Sequence, residues 1–292
     1  MNGFVNICKP VGATASDIVV CVKHILREKA GHLGTLDPGA AGVLPVAVGQ
    51  ATRLFDFLTN KVKYYRAFFT FGKTTDTLDS YGVVTERRDV LPDEEQVRRA
   101  MTEFEGDILQ LPPIYSALSV GGVRAYKLAR EGVDVQLKQR PVTIYEYKLL
   151  RKESEDTFVV DIKCSGGTYI RSLVRDLAEK LGTVGYMSGL IRLASGCFTM
   201  SDSVTVDELR QHSEECVKDI TYPLQDVAEV VFADKYYDDL DFGRKVKLDN
   251  VLDGYFKVIC KGVLFGLGRN VEGYLKLDYY LKNAVAQHYV KE

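Results

Sequence analysis

Asp37 is the residue of this sequence whose type and surroundings most clearly suggest chemistry. It lies in the glycine-rich segment GHLGTLDPGAAGVLPVAVGQAT, which spans residues 31–52. Pro38 biases the backbone of Asp37 away from the helical region, and the glycines suit a loop that runs close to a ligand. A carboxylate held on such a loop can act as a nucleophile or as a base. From these residues alone, the alternative is an Asx-type turn that ends at the proline.

Tyr65 and Arg171 are two further candidates, and each has a purely structural alternative. Tyr65 lies in the aromatic, β-prone run VKYYRAFFTF at residues 62–71, where it could stack on a base or fill the core of a strand. Arg171 lies beside the apolar stripe of an amphipathic helix predicted over residues 168–181. A guanidinium next to a carboxylate favours the ionised carboxylate, whereas an arginine on a solvated face would pair with acids of its own helix.

Hydrophobic patterning predicts the elements that must position these residues. The predicted strands cover residues 4–8, 44–48, 62–71, 142–151, 157–164, 228–232, 255–260, 262–268 and 273–280. The predicted helices cover residues 17–29, 52–58, 93–104, 125–130 and 168–181, with one short helix more in an acidic connector at 202–226. Prolines and glycine pairs mark residues 110–142 as a long excursion from the core.

The excursion is basic, although the chain as a whole is not. Between residues 112 and 141 there are five basic and two acidic residues, whereas the whole chain has a formal net charge of −2. The basic residues are Arg124, Lys127, Arg130, Lys138 and Arg140. Phosphate binding requires local positive charge rather than a positive total. A solvated basic face is the alternative interpretation.

Composition excludes several classes of protein. A length of 292 residues fits one large domain or two ordinary ones, and 46% hydrophobic with 27% charged residues excludes a disordered chain or a collagen-like fibre. The six cysteines form no C-x-x-C pair and have no zinc-like spacing with histidine, so no metal site is predicted. We also find no signal-peptide pattern and no run of roughly 18 apolar residues. A cytoplasmic protein is therefore expected.

The glycine-rich segment, extended by one residue to Arg53, closely resembles the signature of the TruB-type tRNA pseudouridine synthases. Other segments resemble further motifs of that family in the same order along the chain. They are K-P-x-G at 9–12, KYYRAFFTFGKTTDTLDSYG at 63–82, QLPPIYSALSVGGVRAYKLAREGVDVQLKQRP at 110–141 and GGTYIRSLVRDLAEKLG at 166–182. The resemblance covers roughly residues 4–200.

The resemblance implies an active site built from these motifs. Asp37 matches the essential catalytic aspartate of the family, and Arg171 matches the arginine that partners it. Tyr65 matches a tyrosine that stacks on the flipped uracil and takes part in proton transfer. Tyr169 and Leu190 fall where the family places other walls of the uracil pocket.

The resemblance also implies contacts with the rest of the RNA. His32 falls at the position of a histidine that contacts RNA near the flipped nucleotide. The excursion at 110–141 resembles an insertion that clamps the RNA, in which Arg124, Lys127 and Arg130 would bind phosphates.

The function that the resemblance implies is isomerisation of uridine to pseudouridine at position 55, in the T-arm of tRNA. No cofactor or metal is expected. The enzyme is expected to act as a monomer, without a protein partner, a guide RNA or a membrane. One alternative is a non-catalytic RNA-binding or RNA-folding module on the same scaffold. Another is a guide-RNA-dependent subunit of a multi-protein particle, against which the clamp insertion argues.

The expected fold class is α+β, with the catalytic domain at residues 1–224. Its core is expected to be a mixed, mostly antiparallel sheet with flanking helices. Residues 225–292 are expected to form a small β-rich domain, in the position of the RNA-binding C-terminal domains of the family. These residues include ten basic and eleven acidic side chains, a balance that argues for few phosphate contacts.

Overall fold

A large twisted sheet dominates the computed structural model of the protein, which describes residues 1–116, 137–248 and 252–284 and the backbone of 119–120 and 123–124. The strands are β1 (Gly3–Lys9), β2 (Ala30–His32), β3 (Ala40–Val48), β4 (Lys63–Phe71), β5 (Lys73–Thr75), β6 (Val84–Arg87), β7 (Gly106–Gln110), β8 (Ser119–Val120), β9 (Val123–Arg124), β10 (Arg140–Lys152), β11 (Thr157–Cys164), β12 (Gly185–Ser195), β13 (Phe198–Thr199), β14 (Lys218–Asp219), β15 (Glu229–Phe232), β16 (Tyr255–Cys260), β17 (Val263–Val271) and β18 (Tyr274–Tyr280). The α-helices are α1 (Ala15–Leu26), α2 (Phe55–Thr59), α3 (Glu94–Met101), α4 (Ile170–Lys180), α5 (Val206–His212) and α6 (Tyr237–Asp241). None of these described helices has both the length and the apolar character needed to cross a membrane.

The main sheet has the strand order β14-β1-β3-β12-β4-β11-β10-β7, with β2 paired to β3 and β13 paired to β12. The pairing of β3 with β12 is parallel, and the other pairings of this sheet are antiparallel. The mixed, mostly antiparallel sheet predicted from the sequence is therefore confirmed.

Helix boundaries follow local capping chemistry. Helix α1 begins after Thr14, whose hydroxyl accepts a hydrogen bond from the backbone N–H of Asp17 in a capping box. It ends three residues before the predicted end at residue 29, because Arg27 adopts a left-handed backbone with φ of 54°. Helix α3 is capped by Asp93, and the last residues of the predicted helix form a 3₁₀ turn. The predicted basic helix at 125–130 lies outside the described residues.

Strand β12 was not predicted, although it lies in the centre of the main sheet between β3 and β4. Its sequence, GYMSGLIRLAS, lacks regular alternation and contains two glycines, residues that are depleted in strands. Its close parallel pairing with β3 depends on Gly42, where a Cβ atom would lie 2.3 Å from the carbonyl oxygen of Arg192. The strand carries Leu190 and Arg192 toward one end of the sheet.

The C-terminal residues form a second sheet with the order β15-β16-β17-β18. The four strands predicted in this region are all present. The second sheet packs on the first, because Leu267 of β17 shares one buried cluster with Phe4 of β1 and Val43 of β3. The ring of Phe57 also packs against those of Tyr255 and Tyr279, at centroid distances of 5.6 Å and 6.1 Å. The predicted division at residue 224 thus crosses a shared core, and it stays a prediction.

Candidate active site

The loop that carries Asp37 connects β2 to β3 and is held by contacts with the K-P-x-G segment at residues 9–12. The carbonyl oxygen of Pro38 accepts a hydrogen bond of 2.8 Å from the backbone N–H of Gly12. The same oxygen lies 3.5 Å from Nζ of Lys9, which also donates to the carbonyl of Ala13 at 2.6 Å. Lys9 is fully buried, and burial lowers the pKa of its ammonium group. These contacts explain why two distant motifs occur together.

Arg171 is the partner of Asp37. Its Nε lies 2.9 Å from Oδ2 of Asp37. Its Nη1 and Nη2 atoms donate to the backbone carbonyls of Thr77 and Tyr115, each at 2.9 Å. The guanidinium is almost fully buried and is held at all three nitrogens, so its orientation toward the carboxylate is fixed. The alternative in which this arginine pairs with acids of its own helix is excluded.

A second carboxylate, Asp79, completes the network around Arg171. Its Oδ2 lies 3.7 Å from Nη1 of Arg171. Its Oδ1 accepts hydrogen bonds from the hydroxyl of Thr77 at 2.6 Å and the backbone N–H of Tyr81 at 3.0 Å. The arginine therefore lies between two carboxylates. Asp79 lies in the segment 63–82 that resembles a family motif, yet it was not predicted as a site residue.

Burial and neighbouring charges set the pKa of Asp37. Burial raises it above the ordinary value for aspartate, and the charge of Asp79 raises it further. The Arg171 guanidinium opposes both effects by its charge and its hydrogen bond. The net pKa is raised, so the carboxylate is ionised only once the pH exceeds this higher value. Perturbed carboxyl groups of this kind are typical of catalytic sites.

Asp37 and Arg171 lie on the wall of a cavity of about 540 Å³. Tyr65, Tyr169 and Leu190 line the same cavity, which is large enough for a nucleobase with part of its ribose. Its further lining residues are Gly34, Thr35, Leu36, Phe55, Thr59, Asn60, Lys63, Ser116, Arg140, Gly167, Thr168, Ile170, Met187 and Arg192. The structure thus brings five predicted site residues to one concave surface.

Hydrogen bonds and strand register hold the two tyrosines of the cavity. Tyr65 on β4 lies opposite Arg192 on β12 in the antiparallel register, and burial raises the pKa of its hydroxyl. The backbone N–H of Tyr169 donates to Oε1 of Gln110 at 2.8 Å, while Nε2 of Gln110 donates back to the Tyr169 carbonyl at 3.1 Å. Tyr65 is largely buried, so it is both part of the sheet core and a wall of the cavity.

Sequence reasoning also missed two buried cations of the cavity, Lys63 and Arg192. Nζ of Lys63 donates to the carbonyl of Thr59 at 2.6 Å, and burial lowers the pKa of this lysine to about 8. Arg192 is fully buried and donates to the carbonyls of Val43 at 2.7 Å and Gly34 at 3.1 Å. A charged residue inside the apolar run LIRLA was the available signal for Arg192, because arginine is almost never fully buried unless it has partners.

The remaining predicted residues lie elsewhere. His32 is on β2 and does not line the Asp37 cavity. Its Nδ1 atom is buried without a hydrogen-bond partner among the described residues, and burial lowers its pKa. The side chains of Arg124, Lys127 and Arg130 lie outside the described residues.

The arrangement suits attack on, or proton removal from, a flat uncharged ring system. Asp37 supplies a carboxylate whose orientation Arg171 fixes, and the aromatic and aliphatic walls at Tyr65, Tyr169 and Leu190 suit a stacked base. The surplus of cationic side chains over carboxylates on the cavity wall suits a ligand that brings negative charge.

Two models of known protein families match this chain. The model of the "TruB family pseudouridylate synthase (N terminal domain)" matches residues 23–170. The model of the "tRNA pseudouridylate synthase B C-terminal domain" matches residues 171–253.

Curated relatives match over nearly the whole chain. A protein named tRNA pseudouridine synthase B from Alkaliphilus oremlandii is 38% identical, with 94% of this chain and 92% of the relative covered. A protein of the same name from Clostridium perfringens is 35% identical, with 96% and 99% covered.

Solved structures share the fold. A chain of a Cbf5-Nop10-Gar1 complex is 25% identical and superimposes with a TM-score of 0.71, covering 99% of this chain and 85% of that one. A chain of an archaeal box H/ACA sRNP Nop10-Cbf5 complex, 22% identical, superimposes with a TM-score of 0.72 over 99% of this chain and 88% of that one.

Proposed function

This chain belongs to the TruB family of pseudouridylate synthases, and from that premise we propose that it isomerises uridine to pseudouridine at position 55, in the T-arm of tRNA. The observation that carries the proposal is the ion pair between Asp37 and Arg171, 2.9 Å long, on the wall of a cavity that fits a nucleobase. Relatives named tRNA pseudouridine synthase B cover more than nine tenths of this chain.

The reaction balances without an oxidant or a reductant. The N1–C1′ bond of the uridine breaks, the base turns in the pocket, and C5 forms the new bond to C1′. The proton on C5 leaves, and N1 of the product carries a proton. Asp37 supplies the carboxylate that acts at the ribose or at the uracil, and Arg171 fixes its orientation.

The target base must leave the stack of the tRNA loop before it can enter the cavity. Tyr65, Tyr169 and Leu190 then hold it, because they line the cavity and present rings and an aliphatic side chain. We assign to the Tyr65 hydroxyl a role in proton transfer to or from the base, since Tyr65 lines the cavity. His32, on strand β2, is assigned to RNA outside the cavity.

We assign the binding of the rest of the T-arm to the basic excursion at 110–141, through Arg124, Lys127 and Arg130. We propose that the enzyme works as a monomer in the cytoplasm, without a guide RNA or a protein partner. The Cbf5 chains that share its fold come from complexes with other proteins. Turnover on a naked tRNA transcript by the purified protein alone distinguishes the two modes of action.

Asp37→Asn tests the assignment of the carboxylate. The change keeps the size of the side chain but removes its charge and nucleophilicity, so pseudouridine formation is expected to fall below about a hundredth of the wild-type rate. Affinity for tRNA is expected to stay within a few-fold, since phosphate contacts provide most of it. The measurement is tritium release from tRNA labelled at uridine C5, together with a filter-binding titration. Near-normal turnover would refute the role of Asp37.

A further inference from the structure

Tyr81 is an exposed aromatic residue beside the catalytic loop, and the mechanism above does not use it. It is 60% exposed. Its ring lies against Gly39, where a Cβ atom would come within 2.7 Å of ring carbon Cε2. Gly39 is the second residue after Asp37, so the absence of a side chain there lets the ring approach the Asp37 loop. The rest of the ring faces solvent.

The backbone that carries this ring is anchored to the active site. The N–H of Tyr81 donates to Oδ1 of Asp79, the carboxylate beside Arg171. Oγ of Ser80 donates to the carbonyl of Ser188 on β12 at 2.8 Å. The backbone N–H of Met187, which lines the cavity, donates to the carbonyl of Leu78 at 3.1 Å. The ring is therefore presented by a fixed loop.

Other exposed apolar side chains lie at the Asp37 loop. Val11 is 62% exposed, and the residue after it, Gly12, donates its N–H to the carbonyl of Pro38. Pro38 is itself exposed. An apolar surface beside a catalytic cavity is typical of a binding site, and the flat faces of nucleobases are apolar.

We propose that Tyr81 is a stacking platform for a nucleotide adjacent to the flipped uridine. The proposal rests on the proposed function and extends its binding site by one nucleotide. When the uridine enters the cavity, its neighbours lose a stacking partner, and an aromatic ring at the Asp37 loop replaces it. Loss of base–aromatic stacking of this kind weakens binding by about five- to 150-fold.

The kinetic test uses Tyr81→Leu, which keeps an apolar side chain over Gly39 but removes the aromatic face. We expect KM for tRNA to rise by about tenfold with kcat within about twofold of wild type, because the lost contact binds the RNA and does not touch the reacting atoms. Tyr81→Phe retains the ring and is expected to match wild type. Val83→Ala is the control, since Val83 is even more exposed on the same segment and is expected to leave KM unchanged.

A spectroscopic test reports stacking directly. T-arm hairpins carry 2-aminopurine on the 3′ side or, in a second RNA, on the 5′ side of the target uridine. Each is bound by Asp37→Asn protein with or without Tyr81→Leu. Because stacking on tyrosine quenches 2-aminopurine, at least one hairpin should fluoresce more strongly on the double variant.

Two results overturn the proposal. One is equal fluorescence of the two proteins on both hairpins. The other is a Tyr81→Leu enzyme that loses kcat at constant KM, which would mean that the ring only supports the Asp37 loop. A wild-type enzyme that forms no pseudouridine would instead refute the proposed function, and a fluorescence difference would still establish the stacking site.

Discussion

Replacement of Arg171 by glutamine should move the acid limb of the pH–rate profile to higher pH. The guanidinium favours the ionised form of Asp37 and opposes the effects of burial and of Asp79. Two opposite charges about 4 Å apart interact by about 4 kcal/mol at an effective dielectric constant of about 20. The Asp37 side chain is 33% exposed, so solvent screening reduces this interaction, but its loss still raises the pKa of Asp37.

The assay is tritium release from uridine-labelled tRNA at limiting substrate, so that kcat/KM reports the ionisation of the free enzyme. A higher pKa of Asp37 means that a smaller fraction of the carboxylate is ionised at each acidic pH. The acid limb must therefore shift to higher pH, in addition to any loss of rate on the plateau.

Two further variants test the same electrostatic effect, one as a control and one with the opposite expected shift. Arg175→Gln removes an arginine of the same helix that pairs with Asp176, and it should leave the limb in place. Asp79→Asn removes a charge that raises the pKa of Asp37, so it should move the limb to lower pH. A folded Arg171→Gln enzyme with the wild-type acid limb would refute the electrostatic reasoning.

Three other changes test the RNA clamp and the packing. Reversal of Arg124, Lys127 and Arg130 to glutamate should weaken tRNA binding and flatten its salt dependence by about one logarithmic unit per lost phosphate contact, as measured by titration at several salt concentrations. Arg192→Met should lower the free energy of unfolding in urea by about 2–4 kcal/mol, since it leaves buried carbonyls without their donor. Leu267→Ala should cost about 2–5 kcal/mol in the same measurement, because that side chain is fully buried between the two sheets.

Much of the fold could be predicted from local patterns. Alternating or continuous apolar runs identified β4, β10 and β11, and the C-terminal strands were close to their observed bounds. Strand β12 was missed because its glycines are explained only by packing. A Cβ at Gly189 would lie 3.0 Å from the ring of Phe68, and one at Gly185 would lie 3.2 Å from the ring of Phe71. Those neighbours are distant in sequence, so no local pattern reveals them.

Some residues of the candidate site could be predicted from the sequence, and others could not. Asp37 and Arg171 came from motif resemblance, and the structure places them 2.9 Å apart. Lys63 was missed because a basic residue in a strand usually faces solvent, and Arg192 was missed because its strand, β12, was not predicted. Their importance appears only when the sheet buries them beside the cavity. His32 illustrates the opposite case, since a residue close to Asp37 in sequence does not line its cavity.

The Asp37 loop is supported from both faces of the main sheet, and this links the C-terminal sheet to catalysis. Leu33 packs in the cluster that contains Leu267 and Leu281 of the C-terminal part, whereas Leu36 packs in the cluster on the other side. The four residues from Leu33 to Leu36 thus span the thickness of the sheet immediately before Asp37. Because close-packed interiors transmit changes in shape, a change in the C-terminal sheet displaces one of the two supports of the loop. We therefore expect the C-terminal sheet, which carries none of the motifs, to help keep Asp37 in place beside Arg171.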